Sequence, residues 1–198
     1  MDIIDADNNT YKCHKAVLRQ TKGLSIYFDH SSSGRKNSKA GFFQLVWRPP
    51  SHLKGVLDYL YTKNYSSPCG EGEESLLFHF SMYIMGRDYA LSGLKELAKI
   101  RIWMAGNSIT KSHILASAIE AVYKNASPND KGLKDVVVVV AKRQIEMHME
   151  NRTFREMMDG LGEFGKDLVA SIVSRAPYTF WVKGSQLVYV PIAEGGLV

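Results

Sequence analysis

The spacing of apolar positions changes along the chain, and each change predicts an element. From 3 to 13 polar and apolar residues alternate, Tyr11 and Cys13 against Lys12 and His14, with Asp7, Asn8 and Asn9 as turn formers. That pattern predicts a hairpin whose return strand feeds a helix. Beyond Pro49, Pro50 and Ser51 the period becomes helical: Leu53, Val56, Leu57 and Leu60 fall at i, i+3, i+4 and i+7, which turns Asp58 toward solvent. Leu76, Phe80, Tyr83 and Ile84, then Leu94, Leu97 and Ala98, repeat that spacing in two helices joined around Asp88 and Tyr89. Ile114, Leu115, Ala118, Ile119 and Val122 extend the pattern until Pro128, Asn129 and Asp130 break it.

The run Val136 to Val140 has strand propensity, yet Leu133, Val136, Val137, Val140, Ala141, Gln144 and Ile145 share one helical face, so length and period predict a helix. Phe154, Met157, Met158 and Leu161, then Phe164, Leu168, Val169 and Ile172, predict two short amphipathic helices separated by glycines. The tail differs. Tyr178 to Tyr189 is β-branched and aromatic around Lys183, Gly184 and Ser185, a hairpin signal. These shifts suggest a first domain at 1–105, ending near Ala105 and Gly106, a helical extension at 106–175, and a tail at 176–198 whose role stays open.

A chain of 198 residues buries roughly 70% of its unfolded surface, enough for a real core. Hydrophobic residues at 45% and charged residues at 23% are ordinary globular usage, which suggests neither disorder nor a fibrous architecture. The net charge of +5 is unevenly placed: positions 1 to 70 hold ten basic and five acidic residues, and the remainder holds fifteen of each. The densest basic part, Arg35, Lys36 and Lys39, lies in a Ser/Gly-rich loop without the interleaved aromatics of a single-strand platform, so nucleic acid is not the expected partner. Two cysteines, Cys13 and Cys69, and an amino end without a signal-peptide pattern point to a reducing compartment, cytoplasmic or nuclear. No apolar run approaches the roughly 18 residues of a membrane span, so no membrane partner is expected, and the sequons at Asn8, Asn64, Asn125 and Asn151 read as chance matches.

Catalytic motifs fail on context. Gly160, Gly162 and Gly165 match a dinucleotide fingerprint letter for letter, but the residues before Gly160 have helical rather than strand spacing. A helix stop is the expectation there. The six histidines, at 14, 30, 52, 79, 113 and 148, stand singly, with no pair at i, i+4 and no cysteine pair at metal-ligand spacing. Cys13 and His14 point to opposite sides of an alternating strand, which prevents a thiolate–imidazole pair and suggests a buried thiol beside a hydrogen-bonded imidazole. Ser25 lacks the second glycine of a nucleophile elbow, and Asp58, Asp88, Glu96 and Glu120 are scattered over helix surfaces.

Four stretches, in order, resemble the BTB/POZ family of protein-interaction domains, in the fungal form that carries further helices. YKCHKAVL, with Tyr11, Cys13, His14, Lys15, Val17 and Leu18, is similar to the family's strand-to-helix corner, and Ser25, Tyr27 and Phe28 follow it. VLDYLYTKNY, with Leu57, Tyr59, Leu60, Tyr61 and Tyr65, resembles a helix leading into an aromatic turn, where Lys63 stands in place of the usual glycine. HFSMYIMGRDYALSGLKELA resembles the helix pair, through Tyr83, Asp88, Tyr89, Leu91, Leu94, Leu97 and Ala98, and PNDKGLKDVVVVVAKRQI resembles the extension.

The resemblance implies an α+β fold, a small β-sheet flanked by a cluster of α-helices and followed by further helices. It implies no catalysis and no cofactor. It makes other proteins the partners: a second copy in a homo-oligomer, or a cullin scaffold for which the chain is a ubiquitin-ligase substrate adaptor. No acidic residue lies between Asp29 and Asp58, where family members often dock onto a cullin through an apolar residue and a glutamate. Met1 starts almost on the first hairpin, so self-association is expected to use something other than an exchanged amino-terminal helix. Tyr61 and Tyr65 are the expected partner contacts, with Tyr61 either anchoring a partner or closing the core. The alternative is a nuclear transcription-regulatory factor whose basic loop contacts DNA.

Overall fold

The computed structural model describes residues 2–4, 7–19, 42–44, 50–70, 72–107, 109–125, 131–173, 178–183 and 186–191. Helices dominate it, with small sheets at either end of the sequence, an α+β composition. The chain divides into two compact units, residues 1–68 with 81–95 and residues 69–80 with 96–198. Both helices of the predicted pair are thus split between units, and Ala105 and Gly106 lie inside a helix rather than in a linker.

In the first unit, β1 (Asp2–Ile4) and β2 (Thr10–Lys12) form the predicted hairpin, with Ile3 opposite Tyr11. Its turn places Asn8 at φ 62°, a left-handed conformation that asparagine tolerates well. A third strand, β3 (Phe42–Gln44), which alternation did not predict, joins β1 in parallel and gives the order β2-β1-β3. Helix α1 (Lys15–Arg19) follows the hairpin and packs on α2 (Pro50–Thr62) through buried Leu18. Pro50 opens α2, where its missing N–H costs nothing. The predicted apolar face, Leu53, Val56, Leu57 and Leu60, is buried, and Tyr59 joins it. Helices α3 (Leu76–Asp88) and α4 (Ser92–Asn107) meet around Tyr89, as their spacing predicts. They approach so closely at Gly86 that a β-carbon there would lie 2.8 Å from the Lys95 backbone nitrogen.

In the second unit, α5 (Ser112–Asn125) buries the predicted Ile114, Leu115, Ala118, Ile119 and Val122. The valine run forms helix α6 (Lys131–Arg143), because Leu133, Val136, Val137, Val140 and Ala141 all reach the core on one side. That helix does not continue to Ile145. Gln144 leaves helical geometry at φ −129° and ψ 32°, and α7 (Ile145–Glu150) starts anew. Asn151 caps α8 (Arg152–Gly160) by accepting from the Phe154 N–H at 3.2 Å. Helix α9 (Gly162–Val173) packs on α6 through Phe164 and Leu168. Val169 and Ile172, expected on its core face, are instead exposed with Val173, while Phe164 and Leu168 carry the buried side of the helix. The tail forms the predicted hairpin, β4 (Tyr178–Lys183) antiparallel to β5 (Gln186–Pro191).

Candidate interaction surface

Lys54, Asp58 and Tyr61 occupy i, i+4 and i+7 of α2, a stripe opposite its buried face. Lys54 and Asp58 form an ion pair at 2.7 Å. Tyr61, one turn further, keeps 45% of its surface exposed. Its hydroxyl accepts the backbone N–H of His14 at 2.8 Å and lies 3.0 Å from the imidazole Nδ1, with the rings edge-on at 5.9 Å. An aromatic ring is thereby held at a helix end by the strand-to-helix corner 47 residues earlier. Both residues stand out in the sequence, but their partnership does not, because nothing in local spacing reports a contact that distant.

The turn after Tyr61 is cross-braced. Lys63 takes φ 58°, the left-handed conformation for which glycine is better suited, and its N–H donates to the Tyr59 carbonyl at 2.8 Å. The Thr62 hydroxyl donates to the Asp58 carbonyl at 2.7 Å, and Asn64 Oδ1 accepts the Tyr65 N–H at 3.0 Å. The Lys63 ammonium lies 5.6 Å from the centre of the Tyr59 ring. Tyr65 corrects an expectation: at 2% exposure it belongs to the core, since the brace turns it inward, and of the two tyrosines only Tyr61 is exposed. Of the other signature residues, Leu18, Leu57, Tyr59, Leu60, Tyr83, Tyr89 and Leu94 are buried, His14 and Asp88 are exposed, and Tyr27 and Phe28 lie outside the described residues. So do Ser25, His30 and the basic Arg35, Lys36 and Lys39.

Asp58, Asp88, Glu96 and Glu120 are each paired with a basic residue close by on their own helix, Lys54, Arg87, Lys99 and Lys124. At the glycine-rich stretch, Leu161 separates two helices and its N–H donates back to the Met157 and Met158 carbonyls, the helix stop that was expected. Cys13 is buried, and that burial raises its thiol pKa, while His14 faces the other way. Among the described residues no three His, Cys, Asp or Glu side chains cluster where a metal ion could be held.

Two polar arrangements in the second unit went unseen in the sequence. Glu73 accepts the backbone N–H groups of Thr110 and Lys111 at 2.8 and 3.0 Å, ahead of α5. Burial pushes its carboxyl up, but those two N–H donors and the Lys111 ammonium outweigh this and hold it below the usual range. Around α5, α6 and α9, the Tyr123 hydroxyl donates to Asp167 at 2.7 Å, and Lys134, 8% exposed, pairs with Glu163 at 2.6 Å with its ammonium 4.9 Å from the Tyr123 ring centre. Glu163 and Asp167 sit one turn apart, a spacing common to solvated helix faces, so no local signal marks them.

No protein-family model matches the chain, and none of the curated proteins is significantly similar to it. Among the described residues no helix is long and apolar enough to cross a membrane.

Proposed function

We propose that the chain is a non-catalytic protein-interaction module of the BTB/POZ type, an adaptor whose partner surface centres on Tyr61. Support comes from the order of elements around the motifs: a small sheet, a corner carrying His14, a helix ending in an aromatic turn, a helix pair joined near Asp88 and Tyr89, and further helices. The observation that carries the reading is Tyr61 itself, a large ring left half-exposed yet fixed by two contacts to its hydroxyl. Holding a ring in place before binding lowers the ordering cost of association, and anchors of this kind dominate interface energetics. Cullin scaffolds are the partner class that the family resemblance puts forward. The DNA-binding alternative rests on Arg35, Lys36 and Lys39, which lie outside the described residues.

The test is affinity capture with mass spectrometry on the wild type, Tyr61→Phe and Tyr61→Ala. Tyr61→Ala removes an exposed ring, so it should fold normally and lose the captured partner, whereas Tyr61→Phe, which keeps the ring and loses the hydroxyl that fixes it, should capture the partner more weakly than the wild type. A Tyr61→Ala protein that folds and retains every partner overturns the proposal.

A further inference from the structure

Two stretches of the chain meet at the Tyr61 hydroxyl, and each brings an exposed lysine. The strand-to-helix corner binds that hydroxyl through His14, and the next residue, Lys15, opens α1. The braced turn carries Lys63 two residues beyond the ring, with its ammonium over the Tyr59 ring rather than on a carboxylate. Among the described residues neither lysine makes an ion pair.

The acidic residues of the same unit do not cancel these charges. Asp58, one turn before Tyr61 on α2, is bound by Lys54 at 2.7 Å, and Asp88 is bound by Arg87 at 2.9 Å. Asp2 stands opposite Lys12 across the first hairpin, and Asp7 has a partner of its own. Lys15 and Lys63 therefore leave a local positive excess beside the exposed ring, in the part of the chain where ten basic residues face five acidic ones. At interfaces an aromatic anchor supplies most of the energy, while charges around it select the partner by complementarity.

Two kinds of polyanion could answer that charge, and the geometry separates them. A duplex site draws its affinity from roughly 6–10 phosphate contacts, far more than two lysines offer. The α2 stripe leading away from the ring also carries Asp58, which repels a phosphate backbone. An acidic peptide needs only one or two carboxylates beside an apolar side chain, which matches two lysines and one ring. We infer that the partner of this surface is an acidic protein segment, which lays an apolar side chain on Tyr61 and sets Asp or Glu side chains against Lys15 and Lys63. This rests on the reading of Tyr61 as a partner surface and adds the partner's chemistry to it.

The test uses the full chain and a random peptide display library. Peptides retained by the wild type and lost by Tyr61→Ala should be enriched in Asp and Glu beside an apolar residue. As synthetic peptides they should bind more weakly as salt is raised, and several-fold more weakly to Lys15→Glu and to Lys63→Glu, with Lys15→Arg behaving as the wild type. Lys166→Glu, at an exposed lysine of the second unit, changes the net charge by the same amount and should leave the affinity unchanged. Tyr61-dependent peptides that lack acidic enrichment, or whose binding ignores both reversals, overturn the inference and leave the Tyr61 surface standing. If no selected peptide depends on Tyr61, the surface itself fails and the acidic partner with it. A duplex oligonucleotide that binds at physiological salt and is released by the same reversals, while no acidic peptide is selected, assigns the lysines to nucleic acid and overturns the inference as well.

Discussion

At the scale of single residues, the turn after α2 carries a conformational cost at Lys63, which sits in the left-handed region. Lys63 is visible as a residue where the resembled family has glycine, and its φ of 58° gives that substitution a cost, because the β-carbon crowds the backbone in the left-handed region. Lys63→Gly should therefore raise stability, by up to about 1 kcal/mol in urea unfolding, less whatever the Tyr59 contact contributes. Tyr65 shows the opposite failure. Its letter fits a binding turn as well as a core, and only the brace from Asn64 and Thr62 decides for the core. The ladder of Tyr123, Asp167, Lys134 and Glu163 is not legible for a related reason: charged letters at helical spacing read as solvated, and the burial of Tyr123 and Lys134 beneath their acidic partners is a tertiary fact.

At the scale of elements, periodicity served where apolar residues recur over three or more turns. The helices at 50–62, 76–88, 92–107 and 112–125 follow from it, as does the helix at 131–143 against the strand propensity of its valines. It failed where an element is short or ends for non-local reasons. β3 has three residues, too few to alternate convincingly, and the break at Gln144 leaves the apolar period intact. Gly106 looked like a linker glycine but is a packing residue, since a β-carbon there would lie 2.6 and 2.7 Å from the two methyls of Val140. Gly106→Ala should cost roughly 1–3 kcal/mol, measured by thermal melting, as α4 is forced off α6.

At the scale of the whole molecule, buried titratable groups bound the pH range of the fold. His79 is held at about 4 instead of 6.5, first by burial and then by the Arg101 guanidinium, and burial lowers His148 as well. The unfolded chain therefore takes up protons that the folded one refuses. The stability due to His79 is complete above about pH 6.5, drains as the pH falls toward 4, and is flat below that. Tyr123 works in the other direction. Burial and the bond to Asp167 raise its phenol pKa, so its contribution is complete below pH 10.0 and is lost as the pH climbs beyond it. Urea midpoints measured across pH should trace a plateau with both shoulders. The acid shoulder should amount to something on the order of 3 kcal/mol for His79, and it should be shallower in His79→Leu.

The donor that fixes the outward ring of Tyr61 is the main-chain N–H of residue 14, which any amino acid except proline supplies. The position of the ring is thus insulated from drift at its neighbour: lineages could exchange the imidazole and alter the local chemistry while inheriting the same anchor point.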